Sequence, residues 1–146
     1  MAIGLEDRFI RKSIFDHSRL QVETADWARG FDVRTRDLHA PVSSLSGGNQ
    51  QKLVFAREVA GRSPRLLICH QPTRGVDLGA IELIHDRIID LRNAGVGVLI
   101  LSSDLDELLN LSDRLYVFYN GRVGAEFERN QFDRHKIGAA MTGATL

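Results

Sequence analysis

The strongest local pattern in the chain reads Leu45-Ser46-Gly47-Gly48-Asn49-Gln50-Gln51-Lys52. The run 49–60 that follows the glycines contains good helix formers without Pro or Gly, so a helix is predicted to begin near Gly48. Backbone N–H groups at such a helix start form a concavity that binds anions, and the helix dipole favours negative charge there. On the residues alone, a phosphate site and an ordinary capped helix after a flexible turn both remain open, and Lys52 could either steer phosphate or keep the helix soluble.

Apolar patterns beyond this stretch alternate between strand and helix. Short apolar runs predict strands at 66–69, 96–101 and 115–119, and the first two are expected to be buried, the first on both faces. Helical spacing of apolar residues predicts a crossover helix at 81–91 and a short helix at 105–111. Such alternation is typical of an α/β protein whose parallel sheet has flanking helices and right-handed connections.

The two ends of the chain add further elements. A helix is predicted at 19–29, so the amino-terminal segment is expected to be helical. The dipeptide Asn120-Gly121 supplies the positive φ angles of a type I′ turn, which makes 122–127 the antiparallel hairpin partner of the strand before it. A small helix at 133–141 ends the predicted elements.

Length and composition restrict the classes of protein that the chain can be. A chain of 146 residues that is 43% hydrophobic is long enough for one domain with its own core. Nineteen basic and nineteen acidic residues cancel, which disfavours a nucleic-acid-binding module. The uncharged stretch 93–103 is too short to span a bilayer, and 1–13 is too charged for a signal peptide, so a cytoplasmic location is predicted. Cys69, the single cysteine, allows no internal disulfide.

A second candidate site follows the first predicted strand. The segment Cys69-His70-Gln71-Pro72-Thr73-Arg74-Gly75-Val76-Asp77 leaves the carboxyl edge of the sheet, where open α/β folds bind their ligands. His70 beside Cys69 lacks two further metal ligands within sequence reach, so no metal site is predicted here.

Taken together, these residues resemble the ATP-binding cassette ATPases that drive ABC transporters, and in particular the second nucleotide-binding domain of simple-sugar and nucleoside importers. The resemblance rests on 45–52 as the signature motif, 66–71 in the Walker B position and 72–77 as the loop leading through the D-loop. It covers 31–122 well and implies a partial P-loop-type sheet. It also implies a helical segment at 1–60, ending in the signature helix, and a partial ATPase core at 61–146.

In this family each ATP lies between two cassettes, with the Walker motifs of one and the signature of the other. The resemblance therefore implies that this chain completes an ATP site held by a partner cassette, with Asp77 as its D-loop residue. The residues implied to bind that ATP in trans are Ser46, Gly47, Gly48, Asn49 and Gln50.

Departures from the family pattern affect the chain's own site. No G-x-x-x-x-G-K-[ST] motif occurs, so the chain is expected to be the later half of a cassette. His70 replaces the aspartate that supports Mg²⁺, Gln71 replaces the catalytic glutamate, and Ser103 occupies the switch-histidine position. An amide is not a base and imidazole is a poor magnesium ligand, so we predict no catalytic residue here. ATP and Mg²⁺ are expected only in the complete assembly, with no cofactor on the isolated chain.

The family resemblance predicts a transport function. The chain is expected to be part of the ATP-binding subunit of an importer, peripheral on the inner face of the membrane, with a second cassette and permease subunits as partners. In the family sheet the P-loop strand lies between the strands predicted at 96–101 and 115–119. Without that strand the two must pair directly, leave exposed edges or accept another chain, so self-association or domain swapping is predicted.

Two other functions remain open at this stage. A regulatory or interaction module with the cassette shape but no chemistry is compatible with His70 and Gln71. An ATPase head of the chromosome-maintenance or DNA-repair type carries a related signature, but the chain contains no heptad array for the long coiled coils of those proteins.

Overall fold

A computed structural model of the chain describes residues 2–143 and has the predicted α/β fold class. The chain forms two compact units, Met1–Leu99 and Ile100–Leu146. The division at residue 60 that the family resemblance implies stays a prediction. None of the helices formed by residues 2–143 has the length and apolar character needed to cross a membrane.

The first unit contains three long helices and a capped entry to each. The helices are α1 (His17–Gly30), α2 (Gly47–Ala60) and α3 (Leu78–Asn93), and each begins after an aspartate or serine whose side chain accepts a backbone N–H of the first turn. The helices predicted at 19–29 and near Gly48 are confirmed, with ends shifted by one or two residues.

A small hairpin near the amino terminus has no counterpart in the sequence prediction. Strands β1 (Ile10–Arg11) and β2 (Ile14–Phe15) pair in antiparallel fashion around Lys12 and Ser13, whose φ angles are +50° and +63°. Phe9, which precedes the hairpin, is almost fully buried. Its ring lies edge-on to that of Trp27 on α1, 6.4 Å between centroids. Two-residue strands are too short to produce an alternating pattern, which is why periodicity missed them.

The second unit is built on an antiparallel hairpin. Strands β5 (Arg114–Tyr119) and β6 (Arg122–Glu128) are antiparallel as predicted, and Asn120 and Gly121 form the turn with φ angles of +47° and +73°. Helices α4 (Leu105–Leu111) and α5 (Arg134–Met141) match the predicted ones. The core of this unit consists of Leu115, Val117, Phe127, Ile137 and Ala140.

The middle strands are β3 (Leu66–His70) and β4 (Gly97–Leu101), which are neighbours in a two-stranded sheet. The prediction that the first is covered on both faces is wrong, because Leu66 and Ile68 are about 60% exposed while Leu67 and Cys69 between them are buried. The second strand is not buried either. An apolar run makes both faces of a strand suitable for packing against other apolar residues, but residues 2–143 cover only one face of β3.

The sheet topology shows whether the strands predicted at 96–101 and 115–119 pair directly. Among residues 2–143, β4 pairs with β3 and β5 pairs with β6, in separate two-stranded sheets. Direct pairing of β4 with β5 is therefore not the solution adopted, and apolar side chains remain exposed on both sheets.

Candidate nucleotide site

Ser46 begins the signature helix α2 as its N-cap. Its Oγ atom accepts a hydrogen bond from the backbone N–H of Asn49 at 3.4 Å and a second from the Asn49 side-chain Nδ2 at 3.0 Å. Gly47 and Gly48 form the first two positions of the helix, where backbone N–H groups have no acceptor within the helix. Ser46 and Gly47 are exposed. The helix start therefore combines the hydroxyl of Ser46 with the N–H group of Gly47 at positions that an anion can reach from solvent, while Gly48 beside them is buried.

Gly48 lies against the start of α3. A Cβ atom built on Gly48 would lie 2.8 Å from Asp77 Oδ2 and 3.6 Å from the Cβ of Ala80. The other carboxylate oxygen of Asp77 accepts the backbone N–H of Ala80 at 2.9 Å and caps α3. The first turn of α2 and the residue that caps α3 are therefore in direct contact, and the absence of a side chain at Gly48 permits it.

Two amide side chains of α2 bind backbone carbonyls. Gln51 donates from Nε2 to the carbonyl oxygen of Pro72 at 2.9 Å, which ties the helix to the loop after β3. Gln50 donates from Nε2 to the carbonyl oxygen of Leu45 at 2.9 Å. In this structure the Gln50 amide donates to its own loop.

A buried lysine joins α2 to the turn that follows α1. The ammonium of Lys52 donates to the carbonyl oxygen of Asp32 at 3.2 Å and to its Oδ2 at 3.1 Å, and Lys52 is only 6% exposed. The Lys52 hydrogen bond, followed by that of Arg34, lowers the pKa of the Asp32 carboxyl. Of the two roles open from the sequence, neither fits a lysine that is buried and paired in this way.

His70 and Gln71 follow one another at the carboxyl end of β3. His70 is the last residue of the strand and is exposed. Gln71 is half-buried and has a φ angle of +52°, a conformation that is uncommon for residues other than glycine. These two residues offer a hard cation one amide oxygen and no carboxylate, so they do not fit Mg²⁺. Residues 2–143 hold no cluster of three or more His, Cys, Asp or Glu side chains suited to a metal.

Two relatives are similar in sequence to most of this chain. A glucose import ATP-binding protein of Haloferax volcanii is 48% identical over 140 residues, which are 94% of this chain and 25% of the relative. A guanosine import ATP-binding protein of Bacillus subtilis is 47% identical over 115 residues, 79% of this chain and 22% of the relative. The chain thus spans about a quarter of the length of these relatives. No protein-family model matches it.

Solved structures agree with these relatives in fold. A dimeric ATP-binding cassette bound to ADP and Pi superposes with a TM-score of 0.70 at 21% identity, over 84% of this chain and 52% of that one. The chain has the fold of an ABC transporter ATP-binding cassette. A nucleotide-free cassette from an ABC transporter gives a TM-score of 0.65 at 25% identity, over 90% of this chain and 50% of that one. This cassette chain therefore spans about half of the solved cassettes that it resembles.

Within this cassette chain, the first unit contains most of the predicted site residues. Gly48 lies against Asp77 at the junction of α2 and α3, and Ser46 and Gly47 directly precede Gly48. Ser103 belongs to the second unit, where it is exposed in the loop before α4. Asp104 beside it caps that helix by accepting the N–H groups of Asp106 and Glu107.

The sequence analysis missed the residues outside α2 that bind polar side chains near the start of this helix. Asp32 and Arg34 were not singled out, although Lys52 and Asn49 bind them. Both partners on α2 lie three residues apart and hence on one face of the helix. That spacing indicates a shared partner, but nothing in the sequence identifies a turn 15 to 20 residues upstream as that partner.

Proposed function

We propose that this chain supplies the signature segment of an ATP site shared with a second cassette, in an importer of simple sugars or nucleosides. The observation that carries the proposal is the exposed start of α2, where the Ser46 hydroxyl and the N–H groups of Gly47 and Gly48 occupy adjacent positions. The import of glucose by one relative and of guanosine by another supports the solute class.

The signature would act by preorganised electrostatics. A hydroxyl and backbone N–H groups held at a helix start stabilise charge on the γ-phosphate of ATP without reorganising during the reaction. The partner cassette would supply the phosphate-binding lysine, the magnesium ligands and the base that activates water. Each ATP molecule would then be enclosed only when the two cassettes approach, which couples nucleotide binding to movement of a membrane permease.

The chain's own Walker B position would form a degenerate site. Gln71 can accept or donate a hydrogen bond near a nucleotide, but its amide cannot take a proton from water. His70 presents an imidazole where a hard cation prefers oxygen. We therefore propose that the isolated chain does not hydrolyse ATP and holds neither ATP nor Mg²⁺ as a cofactor.

The proposed partners are a second cassette, the permease and a further copy of this chain. Through the permease the protein would lie on the cytoplasmic face of the membrane. Self-association is supported by apolar side chains that each sheet leaves exposed, Leu66 and Ile68 on β3 and Tyr116 and Phe118 on β5. Monomeric soluble proteins rarely leave large contiguous apolar patches uncovered.

The direct test replaces signature residues in the complete transporter. Ser46→Arg places a long cation where the γ-phosphate is expected, and Gly47→Asp adds a side chain and a negative charge at the helix start. Both variants are expected to lower ATP turnover at least 100-fold, the scale for losing one preorganised donor. Ser43→Arg is the matched control, because Ser43 is an exposed serine three residues upstream. Normal turnover in folded Ser46→Arg transporter would refute the proposal.

A non-catalytic module with a cassette fold is the alternative. It is favoured by the chemistry of His70 and Gln71, which remove magnesium support and base together. Both functions predict weak or absent binding when the isolated chain is titrated with Mg-ATP. They differ when a hydrolysis-competent partner cassette is added, because only the proposed function predicts that this chain stimulates hydrolysis by the partner.

A further inference from the structure

We propose that Asn49 is a positioning residue that makes the Ser46 hydroxyl a donor directed toward the nucleotide. The inference rests on the proposed function, and it differs from the role in nucleotide contact that the family resemblance implies for Asn49. The Ser46 Oγ atom is the acceptor of two hydrogen bonds, and both come from Asn49, one from its backbone and one from its side chain.

The number of lone pairs on the Ser46 hydroxyl oxygen determines which further hydrogen bonds it can form. A serine hydroxyl has two acceptor lone pairs and one hydrogen to donate. Because the two N–H groups of Asn49 occupy both lone pairs of Ser46, the hydroxyl can form a further strong bond only by donating. An anion such as a terminal phosphate is the partner that needs this donor, whereas a competing donor group finds no acceptor at Ser46.

The orientation of the Asn49 amide is fixed by its other end. Its Oδ1 atom accepts the backbone N–H of Arg34 at 2.8 Å, so the oxygen faces the turn after α1 and the NH₂ group faces Ser46. A flipped amide would place two donors against each other at Arg34 and an oxygen against the Ser46 hydroxyl. The Arg34 backbone therefore decides which end of the amide Ser46 meets.

The turn that carries Arg34 is itself held in place. Lys52 lies on the same face of α2 as Asn49 and binds both the carbonyl and the carboxylate of Asp32. The φ angle of Asp32 is +47°, a conformation that this residue adopts at the end of α1. Val33, next to Arg34, is buried and donates its N–H to the carbonyl of Ala28 at 2.8 Å. Asn49 thus links this fixed turn to Ser46, since its side chain bonds to Arg34 at one end and to Ser46 at the other.

The test is a double-mutant cycle in the complete transporter, with ATP turnover as the readout. Asn49→Ala removes the side-chain donor without adding charge, and Asn49→Asp presents an oxygen to which Ser46 would donate inward. The expected loss of kcat is about threefold to tenfold for Asn49→Ala and larger for Asn49→Asp, with Ser46→Ala giving the full loss of the donor. In the Ser46→Ala background, Asn49→Ala should change kcat by less than about twofold, because its effect passes through Ser46.

Additive losses in the two backgrounds would overturn the inference, since they indicate direct contact with nucleotide or a general defect. Unchanged turnover in Asn49→Ala would also overturn it. Unchanged turnover in Ser46→Ala would instead contradict the proposed function, so the two failures are distinguishable. Folding is checked on the isolated chain, where Asn49→Asp should be well tolerated because a carboxylate in the first turn of α2 suits the helix dipole. Asn130→Asp, an exposed asparagine in the second unit, controls for the added charge.

Discussion

A Cβ atom built on Gly48 would lie 2.8 Å from Oδ2 of Asp77, so the signature helix and the D-loop helix approach each other across a position without a side chain. Asp77 contributes to both sides of this contact, because its other oxygen caps α3. The start of α2 and the start of α3 are therefore held together through Asp77. Substitutions at either residue are expected to affect the other.

Gly48→Ala should not give the stabilisation that alanine normally gives in a helix. The new methyl group displaces Asp77, and losing an N-cap costs about 1 kcal/mol, which offsets a gain of about 0.5–1 kcal/mol over glycine. Gly79→Ala is the matched control, because Gly79 is likewise the second residue of its helix and its Cβ would lie 3.6 Å from Asp77. Urea unfolding followed by the fluorescence of Trp27, the only tryptophan, reports on the first unit.

The same contact can be relieved from the other side. Asp77→Ser keeps a capping oxygen but removes the atom that faces Gly48. In that background Gly48→Ala is expected to stabilise the first unit by about as much as Gly79→Ala does. If Gly48→Ala has the same effect with aspartate and with serine at position 77, the contact does not restrict residue 48.

The acid stability of the first unit should depend on Lys52. The pKa of Asp32 is lowered in the folded chain, first by the hydrogen bond from Lys52 and next by that from Arg34. The folded state therefore favours the ionised carboxylate. This stabilising contribution is present above the ordinary pKa of 3.8 and is lost as the pH falls through the lower folded value.

Lys52→Met removes the largest cause of that shift. The Asp32 carboxyl should then titrate closer to 3.8, and the free energy of unfolding should fall less steeply as the pH is lowered below 3.8. Carboxyl ¹³C chemical shifts measure the titration directly. Asp133 serves as an internal control, because backbone hydrogen bonds from Lys136 and His135 lower its pKa and do not involve Lys52. An Asp32 midpoint that Lys52→Met leaves unchanged would contradict this assignment.

Self-association should weaken when the open face of β5 is made polar. Phe118 is 71% exposed, whereas Leu115 and Val117 on the same strand are buried, so Phe118→Lys removes apolar area without entering the core. Sedimentation velocity at micromolar concentration should show a shift from dimer or larger species to monomer. Val22→Lys controls for loss of an exposed apolar side chain, since Val22 is 62% exposed on α1. A wild-type chain that sediments only as a monomer would refute self-association.

The elements that could be predicted are those with strong local signals. Asn120-Gly121 defined the hairpin because two positive φ angles suit a type I′ turn, and the helix starting at the signature was marked by its serine and glycines. The burial of β3 was mispredicted because an apolar run describes the strand and not its surroundings. Leu66 and Ile68 are apolar on a face that residues 2–143 leave open.

The support of the candidate site could not be predicted for a different reason. Sequence patterns identify functional residues that lie close together in the sequence, as Ser46, Gly47 and Gly48 do. The contacts of Lys52 with Asp32 and of Asn49 with Arg34 join segments 15 to 20 residues apart, whose meeting depends on how α1 and α2 pack. Such long-range polar contacts become visible only once the fold places both partners.

Restoring the chemistry of the Walker B position should require two substitutions together. In the complete transporter, Ser46→Arg is expected to silence the site that this chain is proposed to complete, so any remaining turnover reports on the chain's own proposed site. Gln71→Glu alone should leave that turnover unchanged within about twofold, because a base cannot act on a nucleotide whose Mg²⁺ lacks its carboxylate ligand. Combining Gln71→Glu with His70→Asp supplies both groups, and turnover should rise about 100-fold or more, the lower end of the range for general-base catalysis. Both changes fit the local backbone, since glutamate has the shape of the glutamine it replaces at φ +52° and His70 is exposed.

A full rise with Gln71→Glu alone would mean that His70 does not impair magnesium support. No rise with the pair would mean that degeneracy at these two positions is not what limits the site.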